Sequence, residues 1–160
     1  MTPVLSAKAI TETDRSDSVL VSFDSRWEQA IKKGGVKAFI RKRLPKTITP
    51  KWVYAYCGSP VAAILARFRI NRIGEISSTE AVKLASRLSM SANDVAAYCR
   101  GRSIIGYCEV SKTQKSKKPM TLVSIRSLMS FHPPQSFIIL SKDACEMIDT
   151  ACFPSQGDTE

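Results

Sequence analysis

Six short β-type runs alternate with short helical segments along the middle of this 160-residue chain. The β-type runs are rich in β-branched and aromatic residues, and Gly, Pro and Ser punctuate them. Two helical segments begin at recognisable N-caps, Thr79 and Ser91, and Asp94 stands at the capping-box position of the second. The pattern predicts an α+β fold: a small mixed β-barrel of about six strands with helices inserted between strands. The predicted strands are VLVSF, the run from Lys37 to Arg43, WVYAYC, the run from Val61 to Ile73, IIGYCEVSK and FIILS.

The length and composition suit one folded domain. Hydrophobic residues make up 44% of the chain and charged residues 24%, which is ordinary for a globular protein with a real core. The first residues mix Thr, Ser, Asp and Glu without apolar periodicity. We therefore expect a flexible N-terminal tail over residues 1–17, a single domain over 18–153 and a flexible C-terminal tail over 154–160. The lysine-rich stretch KTQKSKK is predicted to be a polar loop.

Basic residues are concentrated in one part of the chain. The formal charge is +10, and nine of the 24 basic residues lie between Arg26 and Lys51, where Glu28 is the only acid. Four of the nine are predicted to share one short strand: Lys37, Arg41, Lys42 and Arg43. Charges this dense repel one another, and a polyanion would relieve that repulsion. The alternative is a solvated edge strand whose charges prevent aggregation.

Several classes of function are disfavoured. No apolar run approaches the ~20 residues that a membrane-spanning helix needs. The N-terminus lacks the layout of a secretory signal, so we expect a cytoplasmic protein. The five cysteines are scattered without a CxxC pair, and there is one histidine, so neither a metal nor a cofactor is expected. The oligomeric state is left open.

The candidate contacts are cations and neighbouring aromatic residues. Lys37 follows two glycines and could approach a phosphate closely. Arg41 and Arg43 would share a face of a regular strand about 7 Å apart, close to the spacing of successive phosphates. Tyr56 is the best candidate for stacking on a base. The complete set of predicted nucleic-acid-binding residues is Lys37, Arg41, Lys42, Arg43, Lys46, Tyr56, Ser59, Arg67 and Arg69.

Plain structural roles compete with several of these assignments. Arg67 and Arg69 could equally form the wet face of a half-buried strand. Ser59 could donate a hydrogen bond from its turn, although Ser-Pro turns commonly occur without ligands. Asp94 could simply cap its own helix, or it could pair with Lys37 across a cleft.

The order of the elements resembles the ASCH domain, a branch of the PUA-like superfamily. Four stretches carry the resemblance, and together they span about residues 19 to 140. They are VLVSFDSRWEQAIKKGGVKAFIRKRLPK, YAYCGSPVAAILARFRI, MSANDVAAYCRGRSIIGYCEV and PPQSFIIL, the last being similar to a closing strand in a subgroup of predicted transcriptional regulators. The resemblance implies a PUA-like pseudo-barrel with a cleft between its helices and one sheet face, a cleft associated with RNA binding.

Some ASCH proteins are amidohydrolases that act on acetylated cytidine with a lysine, a threonine and a glutamate. The resemblance places that lysine at Lys37 and the acid at Asp94, but the threonine position holds Ile40, which cannot act as a nucleophile. We therefore expect a nucleic-acid-binding protein, with RNA favoured over DNA and a possible regulatory role. The alternatives are a hydrolase in the same cleft, either an amidohydrolase or a nuclease, and a regulator that binds a nucleotide-like small ligand.

Overall fold

The structure, a computed structural model, describes residues 15–46, 49–134 and 136–154, and side chains from residue 18 onward. The strands are β1 (Arg15–Phe23), β2 (Ala38–Arg41), β3 (Trp52–Cys57), β4 (Ala63–Ser77), β5 (Ile104–Thr121) and β6 (Phe137–Ser141). The helices are α1 (Glu28–Lys32), α2 (Ser78–Lys83), α3 (Ala92–Tyr98), α4 (Leu122–Leu128) and α5 (Lys142–Cys152), and a 3-10 turn over Ser25–Trp27 precedes α1.

All six strands form one mixed sheet in the order β2-β5-β4-β3-β1-β6. β1 and β3 run parallel, and the other neighbouring strands are antiparallel. The predicted α+β class and the number of strands are confirmed. The sheet is open, with β2 and β6 at its edges, rather than closed into a barrel. β4 and β5 are the longest strands, and register shifts between them increase their local twist.

Side-chain alternation along the strands separates the core into layers. In β1, Val19 and Val21 pack on the side of α1, while Leu20 points to the opposite side, where α4 and α5 lie. In β2, Phe39 joins the first layer and Ile40 joins a third cluster beneath α2 and α3. β2 is therefore an edge strand whose residues 38–40 are buried on both faces, while the cations that flank it, Lys37, Lys42 and Arg43, are exposed.

Helix caps follow from local sequence. The Oγ of Ser91 accepts from the backbone N–H of Asp94 at the start of α3, as predicted. α2 is capped by Ser77 rather than by Thr79. Gly101 adopts φ +81° after α3, a left-handed conformation that glycine adopts without strain.

Other element boundaries differ from the predictions. β2 ends at Arg41, so Lys42 and Arg43 lie beyond the strand and Lys37 precedes it. KTQKSKK belongs to β5 rather than to a loop, because its residues pair with β4 from Ala66 to Arg69. β1 begins at Arg15, before the predicted start of the domain at residue 18. The tail predictions for residues 1–14 and 155–160 lie outside the described residues.

Helices in the described ranges are short, and none has both the length and the apolarity to cross a membrane.

Candidate nucleic-acid interface

A basic cavity of about 700 Å³ lies beyond the end of β2. Four cations line it: Lys42, Arg43, Lys46 and Arg102. Its lining contains one carboxylate, that of Glu75, whose Oε2 lies 3.2 Å from the Nζ of Lys46. The cavity thus carries a clear excess of positive charge.

The chain folds back at this point because Leu44 and Gly106 fit together. Leu44 is 8% exposed and anchors the segment that carries Lys42 and Arg43. A Cβ on Gly106 would lie 2.9 Å from the carbonyl oxygen of Arg41 and 3.0 Å from the Cγ of Leu44. Glycine at this position therefore lets the basic segment pack against β5.

A narrower cleft of about 250 Å³ lies beside the basic cavity, and we call it the Arg41 cleft. The guanidinium carbon of Arg41 lies 4.6 Å from the ring centre of Phe23 and 5.1 Å from that of Phe39. Its Nη1 donates to the carbonyl of Ile40 at 2.6 Å, and its Nη2 donates to the carbonyl of Ser22 at 2.7 Å. Burial lowers the pKa of Arg41 from its ordinary value. Arg41 is thus a fixed, rigidly oriented cation.

The remaining lining of the Arg41 cleft is aromatic and apolar with a few polar groups. Its other lining residues are Ser22, Asp24, Arg26, Trp27, Phe39, Ile40, Leu88, Met90 and Tyr98. The Oγ of Ser22 is buried and has no hydrogen-bond partner among the described residues. An arginine has five N–H donors, so the two bonds of Arg41 leave donor capacity at the cleft.

Lys42 connects the two cavities. Its Nζ lies 5.7 Å from the ring centre of Tyr98, which lines the Arg41 cleft, while Lys42 itself lines the basic cavity. A cation over an aromatic ring at this distance is attracted to it. Lys42 therefore lies near residues of both cavities.

The predicted pairing of Arg41 with Arg43 does not match the structure. The spacing of about 7 Å assumed a regular strand through Arg43, whereas β2 ends at Arg41. Arg41 is fixed in its cleft, and Arg43 lines the basic cavity with Lys42 and Lys46.

The predicted aromatic stacking residue is buried. Tyr56 is 2% exposed, and its ring packs against Phe131 with the ring centres 5.5 Å apart. Tyr56 is therefore a core residue and cannot stack on a base in solution. Trp27 and Tyr98 are the partly exposed rings in the lining of the Arg41 cleft.

Arg67, another predicted contact, has structural partners. Arg67 is half-buried, and its Nη1 lies 3.1 Å from the carboxylate of Asp149. The Nε of Arg67 also donates to the Oε1 of Gln114 at 2.7 Å. The protein's own carboxylate thus neutralises Arg67, which removes it from the free surface cations.

Three predicted contacts lie outside both cavities. Lys37 is exposed just before β2, Ser59 is exposed in the turn after β3, and Arg69 is exposed on β4. None of them lines either cavity. Ser59 precedes Pro60 through a cis peptide bond.

The two residues of the hydrolase alternative are not brought together. Asp94 lines a cavity of about 230 Å³ that shares Arg26, Trp27 and Met90 with the Arg41 cleft, and Lys37 is not part of its lining. Within the described residues no ion pair joins Lys37 to Asp94. Ile40, at the position of the missing hydroxyl, is 3% exposed in the core. The geometry does not support that catalytic assignment.

All five cysteines lie in the described residues, form no disulfide and are buried. Burial raises the pKa of the Cys108 thiol to about 12 and that of Cys152 to about 11. Neither thiol is therefore a ready nucleophile at neutral pH. Among residues 15–46, 49–134 and 136–154, no cluster of three metal-ligating side chains occurs.

Sequence reasoning missed Arg102 and Ser22. Arg102 follows Gly101, and the left-handed turn at that glycine carries the chain from α3 to the basic cavity. A glycine between Arg100 and Arg102 was a usable signal for such a turn. Nothing in the sequence around Ser22 could have indicated that its hydroxyl lines a cleft, because that depends on the packing of α2 and α3.

The fold belongs to the class of mixed α+β structures seen in ASCH-domain proteins. The ASCH protein of Zymomonas mobilis is similar with a TM-score of 0.75 and 19% identity, over 85% of this chain and 96% of that chain. A Ser-to-Ala variant of the same protein gives 0.76 and 18%, over 87% and 99%. The N-terminal domain of McrB from Staphylothermus marinus gives 0.58 and 10%, over 85% and 94%.

No protein-family model and no curated protein matches the sequence. At the identities of the solved structures, the likeness establishes the fold, and function has to be argued from the site.

Proposed function

We propose that this protein binds nucleic acid through the basic cavity and the Arg41 cleft, with single-stranded RNA favoured over DNA. The observation that carries the proposal is the charge of the basic cavity, where four cations meet one carboxylate. The ASCH-like fold supports the proposal, as does the net charge of +10. Family membership in the ASCH group, a regulatory role and a cytoplasmic location are parts of the same proposal.

The basic cavity suits phosphate groups. Lys42, Arg43 and Arg102 line it without a carboxylate partner in the described part of the chain. Cations gathered in one cavity repel one another, and phosphates relieve that repulsion while they release their own counterions. Ile104 also lines the cavity and is 51% exposed, which gives a ribose or a base an apolar contact.

The Arg41 cleft suits one base. Two of its rings, Trp27 and Tyr98, offer flat apolar surfaces, while the remaining N–H donors of Arg41 offer hydrogen bonds. Such polar groups can read the edge of a base that has left its stack. A base can enter such a cleft only after it has left its stack, so the cleft favours single-stranded segments.

The test is a salt titration of the binding of a fluorescent single-stranded RNA. For wild type, log Kd should rise steeply with log salt, because displaced counterions drive association. The Lys42→Ala/Arg43→Ala variant should bind more weakly, with a slope that is lower by about 0.7 for each lost phosphate contact. A parallel titration with DNA of the same sequence tests the preference for RNA.

The matched control removes two charges elsewhere. Lys83 on α2 and Lys142 on α5 are exposed and line neither cavity. Lys83→Ala/Lys142→Ala should keep nearly the affinity and slope of wild type. Equal losses in both double variants would attribute binding to net charge alone and would contradict the proposed site.

A nucleotide-like small ligand is the second candidate function, and the size of the basic cavity favours it. About 700 Å³ falls within the range of ~300–1,000 Å³ that is typical of small-molecule sites. Thermal stabilisation by mononucleotides, without binding of oligonucleotides, would select this candidate over the first.

A further inference from the structure

The sheet register places two rows of side chains across three neighbouring strands. Trp52 of β3 faces Arg69 of β4, and Arg69 faces Lys112 of β5. We call these three residues the outer row. Residues directly opposite in register point to the same side of a sheet, so all three project from one face.

An inner row lies on the same face, two residues along each strand: Tyr54, Arg67 and Gln114. α5 covers this row. Asp149 of α5 accepts hydrogen bonds from Tyr54 and Arg67, and the ring centre of Phe153 lies 4.8 Å from the guanidinium carbon of Arg67. The inner row is thus a closed, neutralised part of the fold.

The cations of the outer row have no carboxylate partner of the kind that Asp149 gives Arg67, within the described residues. Arg69 and Lys112 are both exposed, and neither lies within ion-pair distance of a carboxylate in the described residues. They face each other on strands that are about 4.8 Å apart. Like charges directly opposite each other destabilise a sheet. The fold therefore retains a repulsive pair that an anion between the two side chains would relieve.

Trp52 gives the outer row an aromatic end. Its side chain is half-buried, so part of the indole reaches solvent. The guanidinium carbons of Arg67 and Arg69 lie 4.3 Å and 5.6 Å from its ring centre. These contacts hold the ring in one orientation, which lowers the entropy that a stacking partner would have to remove.

We propose that the outer row is a second contact for single-stranded nucleic acid, in which Arg69 and Lys112 hold one phosphate and Trp52 contacts the adjoining base. This inference rests on the proposed function and extends it from one site to two. Gly74 of the basic cavity lies five residues beyond Arg69 on β4, which corresponds to roughly 17 Å of strand. Ile73 of that cavity packs in the layer on the side of α1, whereas Trp52 packs in the layer beneath α4 and α5, so the two sites lie on different faces of the sheet. An RNA of 20 nucleotides is long enough to pass from one site to the other, whereas a dinucleotide can occupy only one at a time.

The test compares wild type with Lys112→Glu, using a single-stranded 20-nucleotide RNA and a dinucleotide. Lys112→Glu should weaken binding of the long RNA on the order of tenfold at low salt and lower its salt slope. Binding of the dinucleotide in the basic cavity should not change. The same variant should raise the melting temperature, because the new carboxylate pairs with Arg69. Lys112→Arg keeps the charge and should bind the long RNA as wild type does.

Tryptophan fluorescence gives an independent readout. The chain contains two tryptophans, so Trp27→Phe, which keeps an aromatic ring at the Arg41 cleft, leaves Trp52 as the only one. RNA is added to saturation, determined for this variant, because its affinity can differ from that of wild type. The long RNA should quench the fluorescence of Trp52 in this background, and Lys112→Glu should reduce that quenching. A structural role of the row alone would leave the fluorescence of Trp52 unaffected by RNA.

The two proposals fail in different ways. If the long RNA binds wild type and Lys112→Glu with equal affinity, and Lys42→Ala/Arg43→Ala still weakens it, the outer row has no part in binding and this inference is overturned. If the long RNA does not bind wild type at all, the proposed function itself is wrong.

Discussion

The guanidinium of Arg41 is held by two aromatic rings and two backbone carbonyls, and burial lowers its pKa. Arg67 is held in a similar way by Trp52, Gln114 and Asp149. The two arginines look alike in the sequence, since each stands in a β-type run beside apolar residues. Only their surroundings distinguish them: Arg41 lines an open cleft, whereas Arg67 meets a carboxylate.

The sequence therefore predicted which cations are candidates, but it could not predict which of them line a cavity and which pair with a carboxylate of the protein. Lys42, Arg43 and Lys46 were predicted as contacts, and the structure gathers them with Arg102 in one cavity. Tyr56 was predicted as a stacking residue because it lies on the same side of the strand as Tyr54 and adjoins the Gly-Ser-Pro turn. This side of β3 is covered by α4 and α5, which come from the far end of the chain. The local sequence around Tyr56 therefore could not predict its burial.

At the residue scale we predict that Asp149→Asn lowers the free energy of unfolding by about 1.5–3 kcal/mol, as expected for loss of a charged hydrogen-bond acceptor. The carboxylate of Asp149 is the partner of both Tyr54 and the half-buried Arg67. Urea denaturation measures the change. Glu146→Gln, on the exposed side of the same helix, is the control and should cost little. Equal losses in the two variants would mean that the network does not hold α5 in place.

Individual elements follow two different rules in this chain. The starts of short helices were predictable where a serine caps them, as Ser91 caps α3. The second half of β5 was not predictable, because it is rich in lysine, which is depleted in strands. Residues 66–69 of β4 pair with this half of β5, and the pairing outweighs the low strand propensity of its lysines.

The carboxylate of Glu109 links β5 to β4 and to the segment after α2. Glu109 of β5 accepts from Asn71 at 2.8 Å and from Tyr107 at 3.0 Å, and its Oε2 lies 3.2 Å from the Nε of Arg87. The hydrogen bonds from Asn71 and Tyr107 hold the pKa of Glu109 below its ordinary value.

We predict that Glu109→Gln destabilises the protein at neutral pH and that the difference from wild type shrinks in acid. A carboxyl whose pKa is lower in the folded state stabilises the fold above its unfolded-state pKa. That contribution disappears as the pH falls from about 4.5, the ordinary value, through the lower folded-state pKa. Thermal unfolding of both proteins between pH 7 and pH 3 measures the effect. A difference that is constant across this range would contradict the role given to the charge of Glu109.

For the molecule as a whole, the net charge of +10 is unevenly distributed. Cations of the basic cavity and of the outer row lack carboxylate partners in the described ranges, apart from Lys46. The groove between α4 and α5, by contrast, is lined by Asp143 and Glu146. A polyanion should therefore approach the basic cavity and the outer row and avoid the groove between α4 and α5.

The α+β class, the number of strands and the order of elements were all predictable, because strand and helix periodicities are local. The open sheet and the positions of the two cavities were not. They depend on how β2 packs between two layers of the core, and on the fit between Leu44 and Gly106.

The most direct test of the proposed site is an NMR titration of the ¹⁵N-labelled protein with a short single-stranded RNA. Amide shifts should concentrate between Arg41 and Lys46 and between Arg102 and Gly106, while α5 serves as the internal reference. Lys42→Ala/Arg43→Ala should reduce those shifts at the same RNA concentration. Shifts that centre on α4 and α5, or no shifts at saturating RNA and low salt, would contradict a nucleic-acid site in the basic cavity.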